Sequence, residues 1–150
     1  MTIDELKQRD FNGKNVLIIG CPASGKSFLA GQLNFNRLIE TDDYKKYGYK
    51  ESLYAVLGKI RASDGPSMIE GILGYRLLRK GLQRDCYYPD VVIEMIVSEQ
   101  RMLKTYSKER DPKKIRYLKG FNAAHNTILE EYKKMPNKNP PEWIKVSNNY

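Results

Sequence analysis

The chain has 150 residues, 41% hydrophobic and 29% charged, the ordinary balance of one soluble domain large enough for a core of its own. No apolar run reaches membrane-spanning length, Met1-Thr-Ile-Asp-Glu-Leu-Lys7 does not read as a secretion signal, and one histidine with two scattered cysteines argues against a zinc site. The formal charge of +8 is more than a small anionic ligand requires and points to a polyanionic partner, with lysine used for solubility as the plainer alternative.

A short charged segment leads into Asn15 to Ile19, an apolar run of buried-strand character. Next comes Gly20-Cys-Pro-Ala-Ser-Gly-Lys26-Ser27, which matches G-x-x-x-x-G-K-[ST], the loop that cradles nucleotide phosphates. Phe28-Leu-Ala-Gly-Gln-Leu33 continues as the helix leaving the loop, expected from about Gly25 to Asn34. Gly20 and Gly25 let the backbone approach an anion closely, so that successive amides of the Cys21-Pro22-Ala23-Ser24-Gly25 loop can point at phosphate oxygens. The helix start through Phe28 adds partial positive charge. Lys26 is expected to reach the β- and γ-phosphates and the Ser27 hydroxyl to bind Mg²⁺. A nucleoside triphosphate with Mg²⁺ is therefore the expected cofactor. Cys21 sits inside this loop, so a structural disulfide with Cys86 is not expected and a reducing cytoplasm fits.

Arg37 to Glu40 reads as a second strand, ending at Thr41-Asp42-Asp43. In the helix expected over Glu51 to Ala62, Leu53, Val56, Leu57 and Ile60 recur at helical spacing. Ser63-Asp-Gly-Pro66 breaks it, and Ser67 to Glu70 forms a third strand. A basic helix follows from about Tyr75 to Arg84. Val91 to Val97 is the clearest strand, and Ser98 caps a helix reaching about Lys108. Arg110-Asp-Pro-Lys-Lys114 is a charged break before a long helix from Ile115 to Lys134, and Trp143 to Val146 makes the fifth strand. Strands alternating with helices imply a single three-layer α/β domain over residues 1–150, a five-stranded parallel sheet covered on both faces.

The chain as a whole resembles the nucleoside-monophosphate-kinase-like P-loop kinases. Within them, Gly20-Cys-Pro-Ala-Ser-Gly-Lys-Ser27 and Thr41-Asp-Asp-Tyr44 resemble the kinase domain of phage polynucleotide kinases. The guanine-recognising Asn-Lys-x-Asp of GTPases is not matched, since Asn137-Lys-Asn-Pro140 lacks the aspartate. The resemblance implies that Asp42 accepts the proton of the substrate hydroxyl. The carboxyl ends of parallel strands, where ligands of open sheets bind, are where such a group belongs. Asp43 is then the helix cap or a group near the metal. The family carries arginine just after Asp-Asp-Tyr where this chain has Lys45, which cannot make a bidentate phosphate contact. Glu70 occupies the strand-three place where related kinases carry an acid, suited to orienting metal waters or the acceptor. The resemblance also places a short lid at about 108–118. Between Arg101 and Lys119 lie eight basic and two acidic residues; Arg110 is the first choice for the arginine that neutralises the transferred phosphoryl group, and Arg116 the second.

Arg76, Arg79, Lys80 and Arg84 recur at spacings that suit a phosphate-tracking row, and equally a solvated helix face. Tyr44, Tyr47, Tyr49 and Tyr54 among Lys45, Lys46 and Lys50 suit stacking on unpaired bases, although core packing is expected to claim Tyr54. His125 is read as a packed histidine, and Glu94, at an edge of its strand's packing, receives no role. The expected activity is γ-phosphoryl transfer from ATP to a hydroxyl on a nucleic acid, either a 5′-hydroxyl end or a hydroxymethylated base in DNA. A kinase of a nucleoside, nucleotide or other metabolite stays open, as does a non-catalytic nucleotide-binding module.

Overall fold

The computed structural model describes residues 1–20, 26–33, 37–41, 44, 49–62, 65–71, 74–96 and 123–147. Its elements are α1 (Ile3–Lys7), β1 (Val16–Gly20), α2 (Lys26–Gln32), β2 (Leu38–Glu40), α3 (Tyr49–Arg61), β3 (Met68–Glu70), α4 (Gly74–Gln83), β4 (Val91–Ile96), α5 (Ala124–Lys133) and β5 (Glu142–Ser147). The strands form one parallel sheet in the order β2-β3-β1-β4-β5. Each expected strand is present, with ends displaced by a residue or so. The expected Ser98–Lys108 helix, the lid at 108–118 and the first part of the Ile115–Lys134 helix lie outside the described residues.

The strand order and the right-handed rule for crossovers sort the helices. The chain moves one way from β1 to β2 and the opposite way through β3, β4 and β5, so α2 falls on one face and α3, α4 and α5 on the other. Two apolar layers follow from this. Leu17, Ile19, Ile69 and Val92 meet Leu53, Val56, Leu57, Leu77, Leu78, Leu82, Ala124 and Ile128 on the three-helix side. Val16, Ile18, Met68, Ile93 and Val146 meet Leu6, Phe11, Leu29 and Ala30 on the α2 side. The strict alternation of partners along β1 explains why its sequence is apolar at every position: both faces are covered. β5 lies at the edge and alternates instead, with Ile144 and Val146 buried and Glu142, Lys145 and Ser147 exposed.

The charged amino-terminal segment contains a helix, α1, opened by Thr2, whose hydroxyl accepts from the Glu5 amide. Leu6 and Phe11 fasten it to the sheet, and Arg9 makes a two-pronged contact to Glu142 on β5 (2.6 and 2.9 Å). That contact holds the Glu142 carboxyl below its ordinary range. At the amino-terminal end of the sheet the Asn15 amide donates to Asp90 (2.8 Å), while the Asn15 side chain accepts from the Ser67 amide, tying β1, β3 and β4 in register.

α4 packs through Gly74, Leu77, Leu78, Gly81 and Leu82 and turns its basic residues outward. At Gly81 the helix passes so close to the following chain that an added Cβ would lie 2.5 Å from the Cβ of Tyr87. Gly58 on α3 has open space around it. Gly81→Ala is expected to cost about 1–3 kcal/mol by overpacking. Gly58→Ala is expected to stabilise by about 0.5–1 kcal/mol through helix propensity. Urea unfolding of the two variants beside the wild type checks the opposite signs.

Candidate functional site

Ligands of open α/β sheets bind beyond the carboxyl ends of the strands, where neighbouring strands send the chain in opposite directions. Here β1 leads towards β2 and β4 towards β5, and the two are hydrogen-bonded neighbours, with Gly20 level with Met95. The G-x-x-x-x-G-K-S segment starts at that place. Gly20 is the last residue of β1, and Lys26 is the first of α2.

Lys26 is buried, 7% exposed, and its ammonium donates to the Gly20 carbonyl at 3.0 Å. A buried ammonium is costly unless it is hydrogen-bonded, and the strand-end carbonyl supplies that bond across the six-residue span of the loop. The cation is thereby held at the mouth of the loop. Phe28 turns outward, 59% exposed, and Leu29 and Ala30 fasten α2 to the sheet. Ser27 lies in α2, but its side chain, together with Cys21, Pro22, Ala23, Ser24 and Gly25, lies outside what is described.

Glu70 ends β3, the strand next to β1, and is 3% exposed. It stands level with Ile18 on one side and Glu40 on the other. Side chains alternate across a strand, so Glu70 shares the face of Met68, the α2 side, which is also the side of Lys26. Glu40 shares that face and is half-buried. Sequence reasoning passed over Glu40; its only signal is the register that sets it beside Glu70.

The end of β2 is locked to the end of β3. Thr41 is fully buried, and a Cβ on Gly71 would lie 1.8 Å from the Thr41 hydroxyl oxygen. Gly71 also has φ of +138°, a backbone conformation reserved in practice for glycine. Space and backbone therefore both demand glycine. The contact fixes the residue directly before Asp42 against the residue directly after Glu70. Asp42, Asp43, Lys45, Arg110 and Arg116 lie outside the described residues.

A second polar group lies on the other face. Glu94, in register with Ile19 and Lys145, is 7% exposed and accepts from the Trp143 indole nitrogen at 3.0 Å. Glu94 thus sits inside the packing and not at its edge, a correction to the sequence expectation. Burial pushes its carboxyl above the ordinary value, while the Trp143 bond and Lys145 oppose this. His125 stacks on Trp143, ring centroids 4.4 Å apart and nearly parallel, as the packed histidine expected. Desolvation lowers its pKa, and Lys145 adds to the effect. Tyr54, expected in the core, is 43% exposed. Leu53, Val56 and Leu57 point inward from α3, and Tyr54 falls outside their arc.

Comparison with protein-family models and with curated proteins finds no match to this chain. Among the described residues no helix is long and apolar enough to cross a membrane.

Gly71→Ala is expected to cost about 2 kcal/mol or more, from the strained backbone and the overlap with Thr41. Chemical denaturation measures the loss; a ligand-binding defect beyond it would show that the Thr41–Gly71 lock positions the site. For Glu94 the folded-state pKa lies above the unfolded value. Its contribution is therefore most favourable below pH 4.5 and is lost as pH rises through the folded value. Glu94→Gln, which keeps an acceptor for Trp143, is expected to raise the melting temperature at pH 7 and to flatten the decline above pH 4.5. Thermal melts across pH check it.

Proposed function

We propose that this chain is an ATP- and Mg²⁺-dependent P-loop kinase that transfers the γ-phosphoryl group to a hydroxyl on a nucleic acid. The observation that carries the reading is Lys26. It belongs to a G-x-x-x-x-G-K-S segment at the carboxyl end of the central strand, buried and hydrogen-bonded to Gly20. Buried Glu70 at the end of the adjacent strand supports it, because phosphoryl-transfer sites hold an acid there beside the loop hydroxyl.

The donor set fits a hard cation: a serine hydroxyl at Ser27 and a carboxylate at Glu70 are oxygen ligands of the kind Mg²⁺ takes, directly or through water. When bound, Mg²⁺ supplies neutralisation of the phosphate charge. Lys26, released from the Gly20 carbonyl, places its ammonium on the β- and γ-phosphates and neutralises charge that grows in the transition state. Asp42 holds the acceptor hydroxyl in line with the γ-phosphorus and takes its proton. The hydroxyl oxygen bonds to phosphorus while the bond to the β-phosphate oxygen breaks, leaving ADP and a phosphate ester. Arg110, or Arg116, covers the equatorial oxygens from the lid.

The acceptor is assigned to nucleic acid from the +8 charge and from the likeness of the Gly20–Ser27 and Thr41–Tyr44 stretches to polynucleotide kinases. The test is incubation with γ-labelled ATP and a panel of acceptors: 5′-hydroxyl DNA and RNA, duplex DNA bearing 5-hydroxymethyluracil, nucleosides and nucleoside monophosphates. Label is expected in a nucleic acid, with transfer falling about 100-fold or more in Lys26→Ala and in Asp42→Asn. Label in a small molecule alone would move the chain to the metabolite kinases. Transfer to no acceptor, with ATP still bound, would leave a nucleotide-binding module.

A further inference from the structure

α4 carries Arg76, Arg79 and Lys80 and no acidic residue, and Arg84 follows directly after it. Positions 76, 79, 80, 83 and 84 fall on one side of the helix, opposite the buried Gly74, Leu77, Leu78, Gly81 and Leu82. Arg76, Arg79 and Arg84 are exposed and Lys80 is half-buried. Among the described residues, neither Arg79 nor Lys80 nor Arg84 pairs with a carboxylate. Arg79, Lys80 and Arg84, with no carboxylate partner among the described residues, form a basic surface that a polyanion would complete.

Its place and its length say which polyanion. α4 begins three residues after Gly71, at the carboxyl end of the sheet, and runs back along it, because the next strand is again parallel. The row therefore starts beside the candidate site and leads away from it. Arg76 to Arg84 covers about 12 Å, the reach of three or four phosphates of one strand. At its far end Arg84 lies over the exposed ring of Tyr54, 4.4 Å from the centroid, and also donates to its hydroxyl at 2.5 Å. An exposed tyrosine and a guanidinium stacked together form a flat platform of the kind on which unpaired bases stack.

We infer that the outer side of α4, ending on the Tyr54–Arg84 stack, binds a single nucleic-acid strand, its backbone along Arg76, Arg79 and Lys80 and an unpaired base on the stack. This deepens the nucleic-acid kinase reading and rests on it for the direction in which the strand runs, towards the carboxyl end of β3. The solvated-face alternative predicts weak binding that ignores Tyr54.

The experiment is fluorescence anisotropy of a labelled 16-nucleotide single strand and of the matching duplex, titrated with the full chain over 50–200 mM NaCl. Arg79→Ala/Lys80→Ala is expected to weaken single-strand binding about tenfold at low salt and to reduce the salt slope by about 1.4, two phosphate contacts at about 0.7 each. Tyr54→Ala is expected to weaken the single strand about tenfold while sparing the duplex and the salt slope. Thermal melts confirm that these exposed substitutions leave the fold intact, and binding of a non-hydrolysable ATP analogue is followed in parallel. Unchanged affinity and slope in both variants would overturn the surface, as would a wild type that binds no strand at 50 mM salt. A wild type that binds through α4 yet phosphorylates no nucleic acid would overturn the kinase reading and leave the surface standing. Phosphorylation of a strand that is unaffected by both substitutions would do the reverse.

Discussion

Gly20 ends a strand with no free side. β1 has β3 on one edge, β4 on the other and an apolar layer on each face, so all five of its residues are buried. Only its carboxyl end opens onto something other than packing, and the carbonyl there needs a donor because buried backbone polar groups are not left unpaired. Lys26 supplies it. The same bond satisfies the strand and tames a buried ammonium. The placement of β1 at the centre of the sheet is what makes this possible.

The reversal of chain direction after β2 has a second consequence. It leaves α2, with α1, on one face and gathers α3, α4 and α5 on the other. Lys26, Glu70 and Glu40 share the α2 side, whereas Glu94, Trp143 and His125 form a polar cluster on the three-helix side. The polar groups of the α2 side are thus separated by the sheet from those that pack among the helices. α4 bridges the two roles: its inner side builds the core, and its outer side carries the row of bases.

Gly71 links the edge of the sheet to its centre. With positive φ and no room for a Cβ, it lets the chain after β3 pass against Thr41, packing the ends of β2 and β3 together. On the kinase reading proposed above, acceptor and triphosphate have to be held about 3–3.5 Å apart in a set geometry, and a lock between the strand ends is a direct way to provide it.

Much of this was legible from local patterns. The apolar runs of β1 and β4 and the inward arc of α4 each follow from spacing within a dozen residues. Tyr54 was misplaced in the core although its spacing argues otherwise, since it stands about 100° around α3 from Leu53 and outside the arc of Val56 and Leu57. Its exposure is a case where spacing outranks the general preference of aromatic rings for the core. Glu94 was not legible: one acid amid buried neighbours says nothing of Trp143, which reaches it from 49 residues away. Glu40 beside Glu70 and Thr41 against Gly71 likewise depend on strand register. Local periodicity reports which side of an element is apolar, and so the sequence by itself determined the five strands, most of the described helices and their buried faces. Which polar groups meet was decided only in the tertiary structure, because pairing between distant strands carries no trace in either strand alone.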